Sequence, residues 1–99
     1  MHKITYLAVF EPVSDGYSIY FPDLPGCTSF GDTFEMAVKQ AEEALGSHLY
    51  HLEKDGEEIP APSMKPEIDP ETEPGCLFCP ITTYPDLVRN ELDNRRIKT

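Results

Sequence analysis

The chain has 99 residues, a length that suits one domain and leaves little room for a second hydrophobic core. Hydrophobic residues make up 39% of it, and no apolar run approaches the ~20 residues of a membrane-spanning helix, so we expect no membrane partner. Eighteen acidic residues against eight Lys and Arg give a formal charge of −10, which argues against nucleic-acid binding over a broad face. The N-terminus has no secretory signal pattern, which predicts a cytoplasmic protein.

Three strands are predicted in the first third of the chain. Residues 3–11 and 17–21 are rich in β-branched and aromatic side chains and flank PVSDG, a pattern typical of a β-hairpin. Alternation places one apolar set on a single face of these strands: Ile4, Tyr6, Ala8, Phe10, Tyr17, Ile19 and Phe21. A short third strand, 27–30, follows the corner PDLPG, whose prolines must lie outside a paired ladder.

A long amphipathic helix follows, over about 33–55. Its apolar residues recur at three- and four-residue intervals, as in the stripe Phe34, Ala37, Val38, Ala41, Leu45, Leu49 and Leu52. Asp32 lies three residues before Glu35, close to a capping box, which predicts that the helix starts at Asp32. Gly56 is placed to end it with a left-handed cap.

The second half predicts a proline-rich connection, a strand and a short helix. Residues 57–75 carry five prolines, at 60, 62, 66, 70 and 74, and no periodicity, which indicates an extended surface segment. A fourth strand is predicted at CLFCPITTY, and it is expected at an edge of the sheet because Pro80 interrupts it. A short helix is predicted at PDLVRNELDN, starting at Pro85. The order β-β-β-α-β-α predicts an α+β two-layer sandwich.

The many carboxylates raise the hypothesis of a metal-dependent nuclease. A two-metal site requires several carboxylates that converge on cations ~3.5–4 Å apart. The candidates are Glu11, Glu42 or Glu43, and Asp86. The middle of the first strand, TYLAV, contains no acid that could project toward a metal, and solvation of the helix accounts for Glu42 and Glu43.

The three cysteines do not indicate a disulfide framework, because their number is odd. Cys76 and Cys79 have the spacing of half a zinc ribbon, but on a strand positions three apart point to opposite faces. Cys27 would act as a nucleophile only if the fold brought it to His48 or His51. We predict no catalytic residue, no metal site and no cofactor.

One long stretch, residues 17–63, resembles the HicB-like antitoxin family. The likeness consists of an aromatic strand ending in FPDLPGC, a GDT helix start, the helix centre AEEAL and the exit DGEEIPAP, all in one order. It implies a partial RNase H-like fold without catalytic acids, and hence a protein that is not an enzyme. It also implies a partner: a small basic HicA-type toxin, an mRNA-cleaving ribonuclease that the antitoxin binds and blocks.

The resemblance divides the chain into an antitoxin domain, 1–85, whose connection spans 59–75, and a C-terminal segment, 86–99. Family members usually continue into a DNA-binding domain that represses the operon. Residues 94–99, NRRIKT, resemble the lead-in to its ribbon strand, so DNA contact is expected only through a further C-terminal domain not evident in this sequence. A transcriptional regulator therefore remains an alternative, as does the nuclease.

Two sets of interaction residues are predicted. Acidic and apolar residues near one sheet edge are expected to contact the toxin: Asp23, Leu24, Asp32 and Glu35. The basic residues Arg95, Arg96 and Lys98 are expected to lie near DNA if such a domain follows. Unpaired sheet edges are templates for further strands, so we also expect a homo-oligomer.

Overall fold

The computed structural model describes residues 2–72 and 75–97, and the side chains of those up to 94. Six elements follow one another: β1 (Ile4–Val13), β2 (Gly16–Tyr20), β3 (Thr28–Gly31), α1 (Phe34–Lys54), β4 (Leu77–Thr83) and α2 (Pro85–Ile97). The strands form one antiparallel sheet in the order β3-β2-β1-β4. The predicted α+β class and element order are confirmed.

The core lies between α1 and one face of the sheet. Phe10 is paired with Ile19 of β2, and Tyr6 with Ile81 of β4, so these side chains share a face. That face meets the small and branched residues of the α1 stripe, and the buried cluster includes Ala37, Ala41, Leu45 and Leu49. The alternation predicted from the sequence therefore selected the correct face, the inner face of the sheet.

The start of α1 differs from the prediction by one residue. Thr33, not Asp32, is the N-cap: its backbone is extended and its hydroxyl accepts a hydrogen bond from the Met36 N–H at 3.1 Å. A Thr hydroxyl at this position satisfies one of the free N–H groups of the first turn. Asp32 lies one residue outside the helix. The predicted end is correct, since Asp55 is the C-cap and Gly56 has a φ of +69°.

The first turns of α1 lie very close to β3. A methyl group added at Gly31 would fall on the backbone N and Cα of Ala37, so only glycine fits there. Ala37 and Ala41 are fully buried. Small residues on both sides thus allow the helix axis to approach the sheet more closely than larger side chains would.

The proline-rich connection is anchored to the sheet, and its described part, residues 57–72, is called the strap. The Tyr6 hydroxyl donates to the Pro60 carbonyl, and an Asp23 carboxylate oxygen accepts from the Ser63 N–H at 2.7 Å. Farther along, the Tyr20 hydroxyl accepts from the Asp69 N–H at 3.2 Å and bonds the Thr72 hydroxyl. The predicted extended segment is confirmed over these residues; Pro74 lies outside the described part.

Polar contacts join helix α2 to α1. Arg89 binds both carboxylate oxygens of Glu53, at 2.9 and 3.0 Å, and the Tyr50 hydroxyl donates to Asp93 at 2.7 Å. The α2 backbone continues to Ile97, so the predicted ribbon lead-in is helical as far as it is described. Neither of the two described helices is long and apolar enough to cross a membrane.

Two glycine-to-alanine substitutions test the contacts of α1. Gly31→Ala places a methyl group against backbone atoms that cannot rotate away, so we expect a loss of about 3 kcal/mol or more in unfolding free energy. In Gly46→Ala the new methyl meets only side-chain atoms, Val88 Cγ2 at 2.9 Å and Thr83 Oγ1 at 3.1 Å, and alanine favours the helix by ~1 kcal/mol, which offsets part of the cost. Urea unfolding should show a far smaller change for Gly46→Ala; equal losses would contradict this account.

Candidate partner-binding surface

The corner that contains Asp23 and Leu24 is a built turn with internal partners. Its backbone closes on itself, because the Leu24 N–H bonds the Phe21 carbonyl and the Cys27 N–H bonds the Leu24 carbonyl, both at 3.0 Å. Leu24 is 1% exposed and belongs to the core. Asp23 holds the strap through Ser63. Both side chains are engaged within the fold, and toxin contact at this corner stays a prediction.

Asp32 and Glu35 lie at the opposite end of the sheet from that corner. Asp23 follows the end of β2 and Asp32 follows the end of β3, and these two strands are antiparallel. Both carboxylates at the α1 start are exposed. The structure therefore separates the four predicted toxin-binding residues into two pairs.

Exposed apolar side chains concentrate at the Asp32 end. Among the described residues, ten large hydrophobic side chains are more than a third exposed, and six of them lie at the end of the sheet that holds the β1–β2 hairpin, the β3–α1 junction and the start of β4. We call this the hairpin-end surface. Its six apolar residues are between 41% and 55% exposed: Val13, Phe30, Phe34, Met36, Leu77 and Phe78.

The aromatic part of this surface is held in place from below. The Phe34 ring lies 5.7 Å from the ring centres of both Phe10 and Tyr17, in tilted and edge-on geometry. Phe10 is fully buried, so Phe34 rests on the core while 43% of it faces solvent. Such a ring is presented with few alternative rotamers.

The charges of this surface are mostly negative. The three segments that form it, residues 11–16, 30–36 and 76–78, contain Glu11, Asp15, Asp32 and Glu35 and no Lys or Arg, and one cation, Lys39, follows a turn further along α1. An apolar patch bordered by carboxylates is typical of an interface for a basic protein. These groups are suited to binding a partner, and they do not form a cleft that holds a nucleophile and a general base.

Sequence reasoning found the two acids at the α1 start but missed the apolar members. Phe34 falls within the helical stripe and was therefore assigned to the core. The available signal was the strand alternation, because Phe30 and Phe78 are out of phase with the buried face. Apolar residues on the outer side of a one-sided sheet are the feature to look for.

The carboxylates considered for a nuclease do not converge. Glu11 is paired with Ser18 and lies on the sheet face away from α1, whereas Glu42 and Glu43 are on α1 itself. Asp86 is paired with Arg89 at 3.1 Å, near the other end of the molecule. Within residues 2–72 and 75–97 no cluster of three or more His, Cys, Asp or Glu could hold a metal ion.

The fold brings Cys27 to the same shallow groove as His48 and His51, but not in a form suited to nucleophilic chemistry. Burial raises the pKa of the Cys27 thiol to about 11, and its sulfur contacts the Ala44 carbonyl at 3.7 Å. The His51 Nδ1 is bonded to the Ser47 carbonyl at 2.7 Å. A catalytic cysteine requires a lowered pKa, so this thiol is a packing group.

Comparison with known proteins decides the family. A family model described as HicB_like antitoxin of bacterial toxin-antitoxin system matches residues 6–74. The chain belongs to the HicB-like antitoxin family. Antitoxin HicB 2 of Photorhabdus laumondii is 39% identical over 65 residues, which is 66% of this chain and 47% of that protein. An uncharacterized 14.9 kDa protein of Haemophilus phage HP1 is 44% identical over 55 residues, which is 56% of this chain and 41% of that protein.

A solved structure titled HicA3 and HicB3 toxin-antitoxin complex contains a chain with the same fold. It is 29% identical, with a TM-score of 0.62, and the match covers 83% of this chain and all of that one. The chain spans less than half the length of the two curated relatives above. Membership of the HicB-like family supports an antitoxin role and a non-enzymatic one.

The residues expected to lie near DNA are not tested. The side chains of Arg95 and Arg96 lie outside the described part, and so does the whole of Lys98.

The Asp23→Ala substitution tests whether the corner holds the strap of this HicB-like fold in place. The Ser63 N–H loses its acceptor, so the strap should loosen and endoproteinase Glu-C should cut after Glu67 several-fold faster. The unfolding free energy should fall by only about 1–2 kcal/mol, because the core is untouched. Asp15→Ala, on the hairpin turn, is the control and should leave the cleavage rate unchanged. An unchanged rate in Asp23→Ala would show that this bond does not hold the strap.

Cys27 should be the slowest of the three thiols to react. With a pKa of about 11 against an ordinary value of 9.0, it stays protonated and buried at pH 8, whereas Cys76 and Cys79 are partly exposed. The raised pKa also predicts that stability declines as pH rises from 9 toward 11, since only the unfolded chain loses that proton readily. Mass spectrometry after alkylation, with and without urea, measures the order. The Cys27→Ser variant should show a smaller decline, because the raised pKa values of Tyr6 and Cys79 contribute the rest.

Proposed function

We propose that this protein is an antitoxin that binds and neutralises a small basic HicA-type toxin, an mRNA-cleaving ribonuclease. Family membership supports the antitoxin role, and a relative of the same fold occurs in a HicA3 and HicB3 complex. The observation that supports the proposal is the apolar and mainly acidic character of the hairpin-end surface, with six exposed apolar side chains and four acids against one neighbouring cation, Lys39.

The physical role is substitution for RNA charge. A ribonuclease that binds the phosphate backbone must carry a basic surface, and a protein that covers this surface must supply negative charge in place of phosphate. A formal charge of −10 on 99 residues meets that requirement and also speeds the encounter. The antitoxin therefore needs no catalytic group of its own.

Two further properties belong to the same proposal. Operon autoregulation would act through a C-terminal DNA-binding domain, which the greater length of the curated relatives leaves room for. Self-association would use the outer edges of β3 and β4, which no other strand of the sheet covers in the described part. A cytoplasmic location follows if the toxin target is cellular mRNA.

Co-expression tests the neutralisation directly. The small protein encoded beside this chain's gene is induced alone and together with this chain, and colony counts and mRNA decay are measured. We expect growth arrest with mRNA cleavage in the first case and rescue in the second, because the toxin's RNA-binding surface becomes covered.

A folding-defective chain provides the control. Leu45 is fully buried in the core, so Leu45→Asp leaves an unpaired charge there and should abolish rescue. Leu87→Asp, at a half-exposed position on α2, should rescue like the wild type. If the wild-type chain neither binds its neighbour nor restores growth, the proposed function is wrong.

A further inference from the structure

We propose that the hairpin-end surface is the docking site for the basic toxin. Its apolar residues supply most of the binding affinity, and its acids raise the association rate. This inference rests on the proposed function. It adds where the toxin binds and which residues set the affinity and which the association rate. Of the four residues predicted from the sequence, Asp32 and Glu35 belong to this site, whereas Asp23 and Leu24 are at the opposite end of the sheet.

The apolar part has the composition of an interface centre. Truncation of a few large side chains usually removes most of the affinity of a protein interface, and aromatic residues are favoured among them. Here three phenylalanines, Phe30, Phe34 and Phe78, are each 43% to 55% exposed. Leaving them in water is unfavourable, so a partner that covers them gains apolar burial.

The hairpin turn and the Phe34 ring of this surface are held in place by contacts within the fold. A methyl group added at Gly16 of the hairpin would fall on the Gly31 carbonyl, the Asp32 Cα and the Phe30 ring, so the hairpin turn is pressed against the β3–α1 junction. Phe34 rests on Phe10 and Tyr17. Binding to a surface already held in shape avoids part of the ordering cost.

The charges select the occupant. Four acids against one neighbouring cation, Lys39, give the surface an excess of negative charge, which disfavours contact with the same surface of a second copy and repels nucleic acid. A basic protein is the partner that neutralises them. Exposed carboxylates at the border of an interface chiefly raise the association rate and make it depend on salt.

The experiment separates the two contributions in the intact complex. The neighbouring small basic protein, carrying a substitution that silences its ribonuclease activity, is titrated with this chain by surface plasmon resonance. Phe30 and Phe78 project from the sheet face away from the core. Phe30→Ser and Phe78→Ser should each weaken binding about tenfold or more, mainly through faster dissociation. Met64→Ser is the matched control: Met64 is 94% exposed on the strap, and its loss should change the affinity less than twofold.

Charge is tested with two triple variants that remove the same number of acids. Asp15→Asn, Asp32→Asn and Glu35→Gln together should lower the association rate about tenfold at low salt and flatten its salt dependence. The strap triple Glu57→Gln, Glu58→Gln and Glu67→Gln should have a much smaller effect. Circular dichroism confirms that each variant is folded.

The outcomes distinguish this inference from the proposed function. Wild-type binding that survives every hairpin-end substitution overturns the docking site and leaves the antitoxin function standing. Loss of self-association without loss of toxin binding would assign the surface to a second copy and also overturns the inference. If the wild-type chain binds no neighbour, the function and the docking site fail together.

Discussion

The close contact between α1 and β3 is the constraint on which the rest of the molecule depends. Gly31 ends β3 directly against the backbone of Ala37, and Thr33 must start the helix within two residues of the strand. This short junction fixes the direction in which α1 crosses the sheet, and so decides which part of the inner face it covers. It also brings Asp32, Phe34 and Glu35 to one end of the sheet, beside the hairpin.

Because α1 crosses only part of the sheet, the fold leaves apolar surface uncovered at that end. Leu77 is paired with the buried Phe10, yet it is 43% exposed. Phe34 likewise contacts the core on one side and water on the other. In an enzyme of similar architecture such a region could form a cleft with catalytic groups, whereas here the adjacent polar residues are carboxylates spread around the border. The geometry supports binding.

Much of the fold followed from two periodicities. The two-residue period of β1 and β2 and the three- and four-residue period of α1 selected Phe10, Ile19, Ala41 and Leu45 as core residues, and all four are buried. The helix start was displaced by one residue because Thr33 competed with Asp32 for the same role and had the better geometry. Such competition between neighbouring capping residues is decided by backbone angles that the sequence does not state.

The features that sequence reasoning missed depend on contacts between distant residues. Val9 is on the face of β1 away from α1, and alternation would leave it in solvent, but it is fully buried between Tyr20 and Phe78. Leu24 belongs to a loop and is nevertheless in the core. The strap is held by side chains 40 and 49 positions earlier, through Ser63 and Asp69. No local pattern encodes these pairings, and the same holds for the concentration of phenylalanines at the hairpin end.

The pairing of β1 with β4 has a consequence for how the chain is made. Ile4 is opposite Thr83, so β1 acquires one of its two neighbours only after residue 83 has been synthesised. At ribosomal rates of about 5–20 residues per second, β1 waits several seconds with an open edge. Its aromatic and aliphatic side chains make that interval a window for aggregation or capture by chaperones. The fold of this chain is therefore completed well after its first strand has been translated.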